Sequence, residues 1–411
     1  MVPENKRNFF INMIILVFIL QCHKGDENGL KASGSQPINL SNTFYYNTQA
    51  LSLDPTNIPE SLLAPLTMEQ DREMMQADFE QELIKGKINT SNFYRFAPVL
   101  FFYRDWRVAK LFREIIADTS VHLFFRTLAV FSLGEYKDSK NFDFLFSQFS
   151  HSDPVYREYI ASALVKLADS TKLKRIGSLL ASEKNAYVCK TLMAEKKNLQ
   201  NFAAILPVFD TSALDREMFY PSSRRSKSFE KFSYQEIDDS FYTPLAKKCI
   251  YPHQQYKLNR ALYNILNYPV INFGLEDSWG RHVGEDSGWL FSGMPVHSIM
   301  DGVVVKIQHE STWGCLVVIQ SRLIDSSFVT IYYGHLSEKL NVVVGDRVAM
   351  GDKIGEIALS FTLTNGGYLS HLHLGIEKSA YKSALIKGWF DTMENWFSPV
   401  AFIANYGKKR L

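Results

Sequence analysis

Cysteine is scarce in this chain, with 4 among 411 residues. Setting aside Cys22 near the N-terminus leaves Cys189, Cys249 and Cys315 at irregular spacing. An odd, irregular set is neither a disulfide framework nor a Cys-based zinc site, so small buried thiols are expected. A dominant sign of charge is also missing: Lys plus Arg number 45 against 43 Asp plus Glu, leaving +2. No basic stripe interleaved with aromatics tracks phosphates, which argues against nucleic acid as a partner. Long apolar runs are absent but for FFINMIILVFIL at 9–20. That run is too short to span a bilayer comfortably, yet it follows Lys6 and Arg7 and has the length of a signal-peptide core. What the chain does have is 46% hydrophobic and 14% aromatic residues, enough for two or three globular domains.

Export is therefore expected. The run ends in ILQCHKGDENG, with Cys22 at the junction of apolar and polar sequence. This resembles a bacterial lipoprotein signal, in which the cysteine is acylated and becomes the new N-terminus, although Gln21 stands where a small residue is usual. Ordinary signal cleavage and a retained anchor are the competing readings. Residues 1–22 are read as the signal, Cys22 as the lipidation site, and 23–66, rich in Ser, Asn, Gly and Pro, as a flexible tether.

From 67 to 200 the spacing turns helical, with few Pro or Gly, and a 31-residue repeat emerges. Phe125, Tyr156 and Tyr187 share it, as do Arg126 and Arg157, Leu133 and Leu164, and the steps Asp138-Ser139 and Asp169-Ser170. Stacked helical hairpins that turn at the Asp-Ser steps explain this pattern, which resembles HEAT-type repeats. A concave surface for a protein regulator, or for positioning or covering another domain, is one reading; a plain helical domain is the other. Residues 201–265 read as a linker. Beyond them GVVVKIQ, CLVVIQS and FVTIYYG are strand-like and punctuated by Gly and Asp, predicting a mostly antiparallel β domain over 266–400. The fold class is multidomain, α followed by β.

That β domain carries the chemistry. In YLSHLHLGIEK, His371 and His373 share one face of a strand while Leu372 and Leu374 share the other. WGRHVGEDSG places His282 and Asp286 four apart, and IYYGHLSEKL puts His335 at a strand end. Zinc hydrolases commonly use three ligands from His, Asp and Glu and keep one position for water. His282, Asp286 and one of His371 and His373 satisfy that, leaving two histidines for acid-base work. His297 and His309 lie in no motif and read as structural or surface residues.

His282-x-x-x-Asp286, Tyr333-Gly334-His335-Leu336 and His371-Leu372-His373, in that order, resemble the lysostaphin or LytM-type zinc metallopeptidases that cut bacterial peptidoglycan. GMPVHSIMDGVVVKI and VGDRVAMGDKIGEI resemble that family's flanking strand and hairpins, and the likeness covers roughly 270–380. The resemblance implies Zn2+ held by His282, Asp286 and His373, with His335 and His371 as catalytic histidines. It also implies a cell-envelope endopeptidase acting on peptide cross-links. The alternative is a non-catalytic envelope scaffold that activates or recruits another wall hydrolase, as members that have lost ligands do; all five site residues are present here.

Overall fold

The computed structural model describes residues 58–67, 72–202 except 102 and 104, 235–236, 243–256, 272–382 except 311 and 312, and 388–406. The apolar run at 9–20, Cys22 and most of the tether lie outside these residues. Among the described residues no helix is long and apolar enough to cross a membrane.

The N-terminal part is helical: α1 (Glu60–Thr67), α2 (Arg72–Ile84), α3 (Ala97–Leu100), α4 (Trp106–Ala117), α5 (Leu123–Glu135), α6 (Phe142–Gln148), α7 (Pro154–Leu167), α8 (Leu173–Ser182) and α9 (Ala186–Phe202). In α4 Val108, Ala109, Leu111, Phe112, Ile115 and Ile116 are buried, the one-sided stripe expected of a helix packed on its neighbour. Helix α5 is buried along its whole length. It is packed between α4 and α7. Gly134 in α5 sits where a Cβ would approach the Ala163 Cβ of α7 to 2.8 Å, so only glycine allows the two helices this close.

The repeat is visible in the helix starts. Leu123 of α5 and Pro154 of α7 are 31 residues apart, as are Phe142 of α6 and Leu173 of α8. The aspartates of the two Asp-Ser steps make the turns: Asp138 accepts from the Lys140 amide at 3.0 Å and Asp169 from the Thr171 amide at 2.9 Å. Asp153 caps α7 by accepting from the Val155 and Tyr156 amides, with Pro154 at the first helical position.

The C-terminal part is built on an antiparallel sheet. Its strands follow the order β1 (Gln235–Glu236), β6 (Gly302–Glu310), β7 (Gly314–Arg322), β8 (Phe328–Leu336), β11 (Leu372–Glu377) and β13 (Trp396–Phe397). Strand β4 (Gly284–Ser287) also pairs with β11, and β9 (Arg347–Val348) with β6. Smaller pairings join β5 (Pro295–His297) to β10 (Lys353–Glu356), and β3 (Gly280–His282) to β2 (Glu276–Asp277) and β12 (Trp389–Phe390). Helix α10 (Pro399–Tyr406) closes the domain. Alternation along β7 supplies two cores: Cys315, Val317 and Ile319 join the main one, while Leu316 and Val318 pack with Val303, Val305, Trp313 and Tyr332 on the other face.

Residues 243–256, inside the segment expected as a linker, are laid on this domain. Leu245 bridges to Arg322, the Ile250 amide donates to the Ile299 carbonyl at 2.9 Å, and the His297 amide donates to the Pro252 carbonyl at 2.8 Å. The helices dock on the same side. Tyr187 donates to the Tyr251 carbonyl at 2.8 Å, Lys190 pairs with Asp352, and Lys166 bridges Glu135 and Glu356 at 2.7 Å each. His297, expected to be a structural or surface residue, is one of the buried ties: its Nδ1 meets the Gly351 carbonyl and its Nε2 meets Glu158 of α7. Cys189, Cys249 and Cys315 are free thiols, as expected. Burial pushes the Cys189 thiol up to about 11.

Candidate metal centre and active site

The candidate ligands are brought together by strand register. His282 ends β3 and Asp286 lies on β4, two steps beyond Gly284. Across the pairing of β4 with β11, Asp286 faces His373 directly. A Cβ on Gly284 would lie 2.1 Å from His373 Nε2, so the imidazole occupies the space that only glycine leaves open. Leu372, Leu374 and Ile376 point into the main core while His373 takes the opposite face beside Trp313, as strand alternation predicts.

His282, Asp286 and His373 form a buried group whose ligand atoms converge. His282 Nε2 is 3.0 Å from His373 Nδ1, His373 Nδ1 is 3.1 Å from Asp286 Oδ1, and His282 Nε2 is 3.7 Å from the same oxygen. Three ligands at about 2.0–2.1 Å from one tetrahedral zinc are roughly 3.3 Å apart, so this triangle has the size of one face of a zinc polyhedron. Asp286 Oδ1, buried among these rings, makes no hydrogen bond. A buried carboxylate oxygen left so is costly unless a cation meets it, and the donor set fits Zn2+.

Charge follows the geometry. Burial pushes the His282 imidazole down to about 4, opposed by the nearby Asp286 carboxylate. Burial alone would raise the Asp286 carboxyl, but His371, His282 and His373 around it hold it below the usual carboxylate range. The set thus offers a neutral imidazole at His282 and an ionised carboxylate, the forms that bind a metal.

His335 and His371 stand beside this triangle, their ring centres 4.4 Å apart. His371 Nε2 is 3.6 Å from Asp286 Oδ2. Each ring is oriented by a backbone carbonyl: His335 Nδ1–H donates to Asn365 O at 2.8 Å and His371 Nδ1–H to Leu369 O at 2.6 Å. That fixes the tautomer and leaves each Nε2 as the acceptor. Burial takes the His335 ring well below its usual value, with the His371 and His373 charges adding to it; burial lowers His371 too, against the pull of Asp286.

His335 also adopts φ +61°, in the left-handed region uncommon for a non-glycine residue. The register between β7 and β8 slips between Cys315 and Val317 opposite it, a bulge that re-aims the side chain. The His335 amide donates to the Trp313 carbonyl at 2.9 Å, and its own carbonyl accepts from the Ala358 amide at 3.0 Å, so the surrounding strands hold this conformation.

Aromatic rings wall the cluster. Trp289 stacks on His371 at 4.4 Å and 18°, Trp313 meets His373 edge-on at 4.5 Å, and Trp389 lies 5.0 Å from His282. Tyr368, 43% exposed, sits over His335 at 5.3 Å and marks the solvent side. Trp313 forms this wall, whereas Tyr333 is core, its hydroxyl accepting from the Ile299 amide. Trp289 and Trp389 were missed; Trp289, three residues beyond Asp286 in a Gly-rich stretch, was the signal available.

Residues 282–384 match the family model of Peptidase family M23. The resemblance to a LytM-type peptidase read from the sequence is therefore borne out over this segment, which contains the His282, Asp286 and His373 group. Among solved structures, one described as a zinc containing peptidase from Vibrio cholerae aligns at 21% identity over 38% of this chain and 41% of that chain, with a TM-score of 0.20. The chain thus spans less than half the length of that protein. No curated protein matches the chain.

Proposed function

We propose that this protein is an exported zinc endopeptidase that hydrolyses peptide cross-links of bacterial peptidoglycan. The observation that carries the reading is the convergence of His282 Nε2, Asp286 Oδ1 and His373 Nδ1 at 3.0–3.7 Å, with two further histidines beside them. In this reading His282, Asp286 and His373 hold zinc, while His335 and His371 are the catalytic histidines. Zinc, when bound, supplies Lewis acidity that polarises a carbonyl and acidifies water. The chain does the rest. His335 and His371, with Nδ1–H held by carbonyls, present Nε2 to take the proton of the attacking water. Once protonated, the same nitrogen donates to the tetrahedral oxyanion or to the leaving amine. The tryptophan rings exclude bulk water, which strengthens both interactions.

The likeness to Peptidase family M23 and the signal-like N-terminus support the wall as the substrate. Mature protein incubated with purified sacculi is expected to turn cross-linked muropeptides into uncross-linked ones, releasing amino groups and no new reducing ends. A chelator stops this and zinc restores it. Intact sacculi with zinc bound, alongside stimulation of a separate wall amidase, would establish the scaffold reading instead. In the same proposal Cys22 carries a lipid anchor in the cell envelope; Cys22→Ser is expected to move the protein from the membrane fraction to the soluble one and to abolish fatty-acid labelling.

A further inference from the structure

The helical region grips the segment that holds His371. Residues 288–293 run past the site, with Trp289 stacked on His371. The next residue, Leu290, has φ +66°, a strained value for a branched side chain, and its amide donates to the Ser370 carbonyl at 2.9 Å. Phe291 is fully buried and meets Phe124 of α5 edge-to-face at 5.3 Å and 90°. Ser292 shares a hydrogen bond with Ser370 at 2.6 Å between their hydroxyls, and its carbonyl accepts from the Tyr159 hydroxyl of α7 at 3.0 Å. At Gly293, with φ +75°, the Phe131 ring of α5 fills the place of a side chain, 2.1 Å from where a Cβ would stand.

Three adjacent residues, 291, 292 and 293, thus rest on α5 and α7, while 289, 290 and 292 hold His371 and the residue before it. The same stretch includes Leu369, whose carbonyl takes the His371 Nδ1–H. A ring clamped by a stack on its face and a carbonyl on its edge loses its freedom only if the clamp is itself held. Here the far side of the clamp is the helical region. A strained backbone persists where its surroundings over-determine it, and around Leu290 these are the Ser370 carbonyl on one side and, on the other, residues 291–293 held by α5 and α7.

We infer that the helical region is a positioning element for His371, acting through Trp289 and the docked segment 288–293. The inference rests on the proposed role of His371, and it assigns Trp289 as a positioning residue. It gives the repeats a part in activity opposite to that of a cover: contact with α5 and α7 switches the site on, so anything that loosens this contact lowers turnover.

The experiment compares full-length, zinc-loaded protein with Trp289→Leu, Trp289→Phe, Phe124→Leu and Tyr159→Phe, reading kcat and KM on a soluble cross-linked muropeptide, zinc content, and the His371 ring signals by NMR with labelled histidine. Trp289→Leu is expected to lower kcat about tenfold or more with KM and zinc unchanged, and Trp289→Phe, which keeps a stacking ring, to recover most of it. Phe124→Leu and Tyr159→Phe are expected to lower kcat less and to shift the His371 signals, although neither residue touches the site. Unmoved His371 signals in both helix variants, or equal kcat in Trp289→Leu and an active parent, would overturn the inference. The signals report on positioning whether or not the parent cleaves muropeptides, so an inactive parent with shifted signals rejects the proposed activity and keeps the coupling.

Discussion

Among the described residues, two buried clusters that combine histidine with carboxylate differ in what is left over. Between the helices and the β domain, Glu158 is wholly buried and meets His297 Nε2 at 2.7 Å, Gln254 Nε2 at 2.7 Å and the Thr191 hydroxyl at 3.1 Å. Both nitrogens of His297 face oxygen acceptors. In the cleft, His282, Asp286 and His373 are also buried, yet Asp286 Oδ1 makes no hydrogen bond and three potential ligand atoms converge. Burial of a histidine beside an acid therefore does not define a site. Convergence without mutual satisfaction does, because the energy owed to a desolvated polar group has to come from a ligand.

The sharpest way to break this contrast is to remove members of each cluster. Ala at His282, Asp286 or His373 is expected to abolish zinc binding and all peptidase activity, measured by metal content and muropeptide release. Retention of metal by a His373 variant together with its loss from a His371 variant would reverse the assignment of ligands. Next in size, His335→Ala and His371→Ala should keep the ion and lower turnover by about 100-fold or more, the usual share of a general acid or base.

Glu158→Ala should do the converse. It leaves zinc stoichiometry alone and costs about 3–5 kcal/mol in denaturant unfolding, since His297 and Gln254 lose a buried partner. An unfolding midpoint equal to the parent's would show that the interface cluster contributes nothing to stability.

The smallest expected effect concerns acid. Burial would raise the Glu135 carboxyl from its ordinary 4.5, but Lys166 and Lys339 bring it down to about 2, and Lys166 with Lys353 likewise holds Glu356 below the usual range. A depressed carboxylate contributes stability that is full above its unfolded value and lost as pH falls through the folded one. Unfolding free energy should thus decline between about pH 4.5 and 2, and Glu135→Gln should flatten part of that slope. A slope unchanged by that substitution would remove Glu135 from the account.

The signal-like run, Cys22 and the tether up to residue 57 lie outside the described residues, so their reading stands on the sequence, whereas the last part of the expected tether is the helix α1 (Glu60–Thr67) with Leu63 and Leu66 buried. Within the described part, much was legible locally. Helix and strand periods mark the two regions, and a 31-residue spacing of Phe125, Tyr156 and Tyr187 foreshadows helix starts that repeat at the same interval. His371 and His373 on one strand face follow from the two-residue period, which needs no knowledge of any neighbour. The docking of residues 243–256 was not legible, because ties such as the His253–Ser287 hydrogen bond at 2.9 Å join positions far apart in the chain.

By itself the sequence determined the candidate residues, His282, Asp286, His335, His371 and His373, carried on a β framework behind a helical region. It could not say from spacing which of His371 and His373 turns to the ligand set, since both imidazoles share a face and reach the same space. Tertiary structure distinguishes the two through pairing. Asp286 lies opposite His373, Gly284 vacates room for that ring, and His371, 3.6 Å from the other Asp286 oxygen, is held by the Leu369 carbonyl and the Trp289 stack. It also decided what supports the site, because Phe124, Phe131 and Tyr159 reach residues 291–293 only when the helices have packed against the β domain. Such contacts have no local signature: a helix shows its apolar stripe in sequence, but the surface that stripe will meet is chosen by shape complementarity in three dimensions.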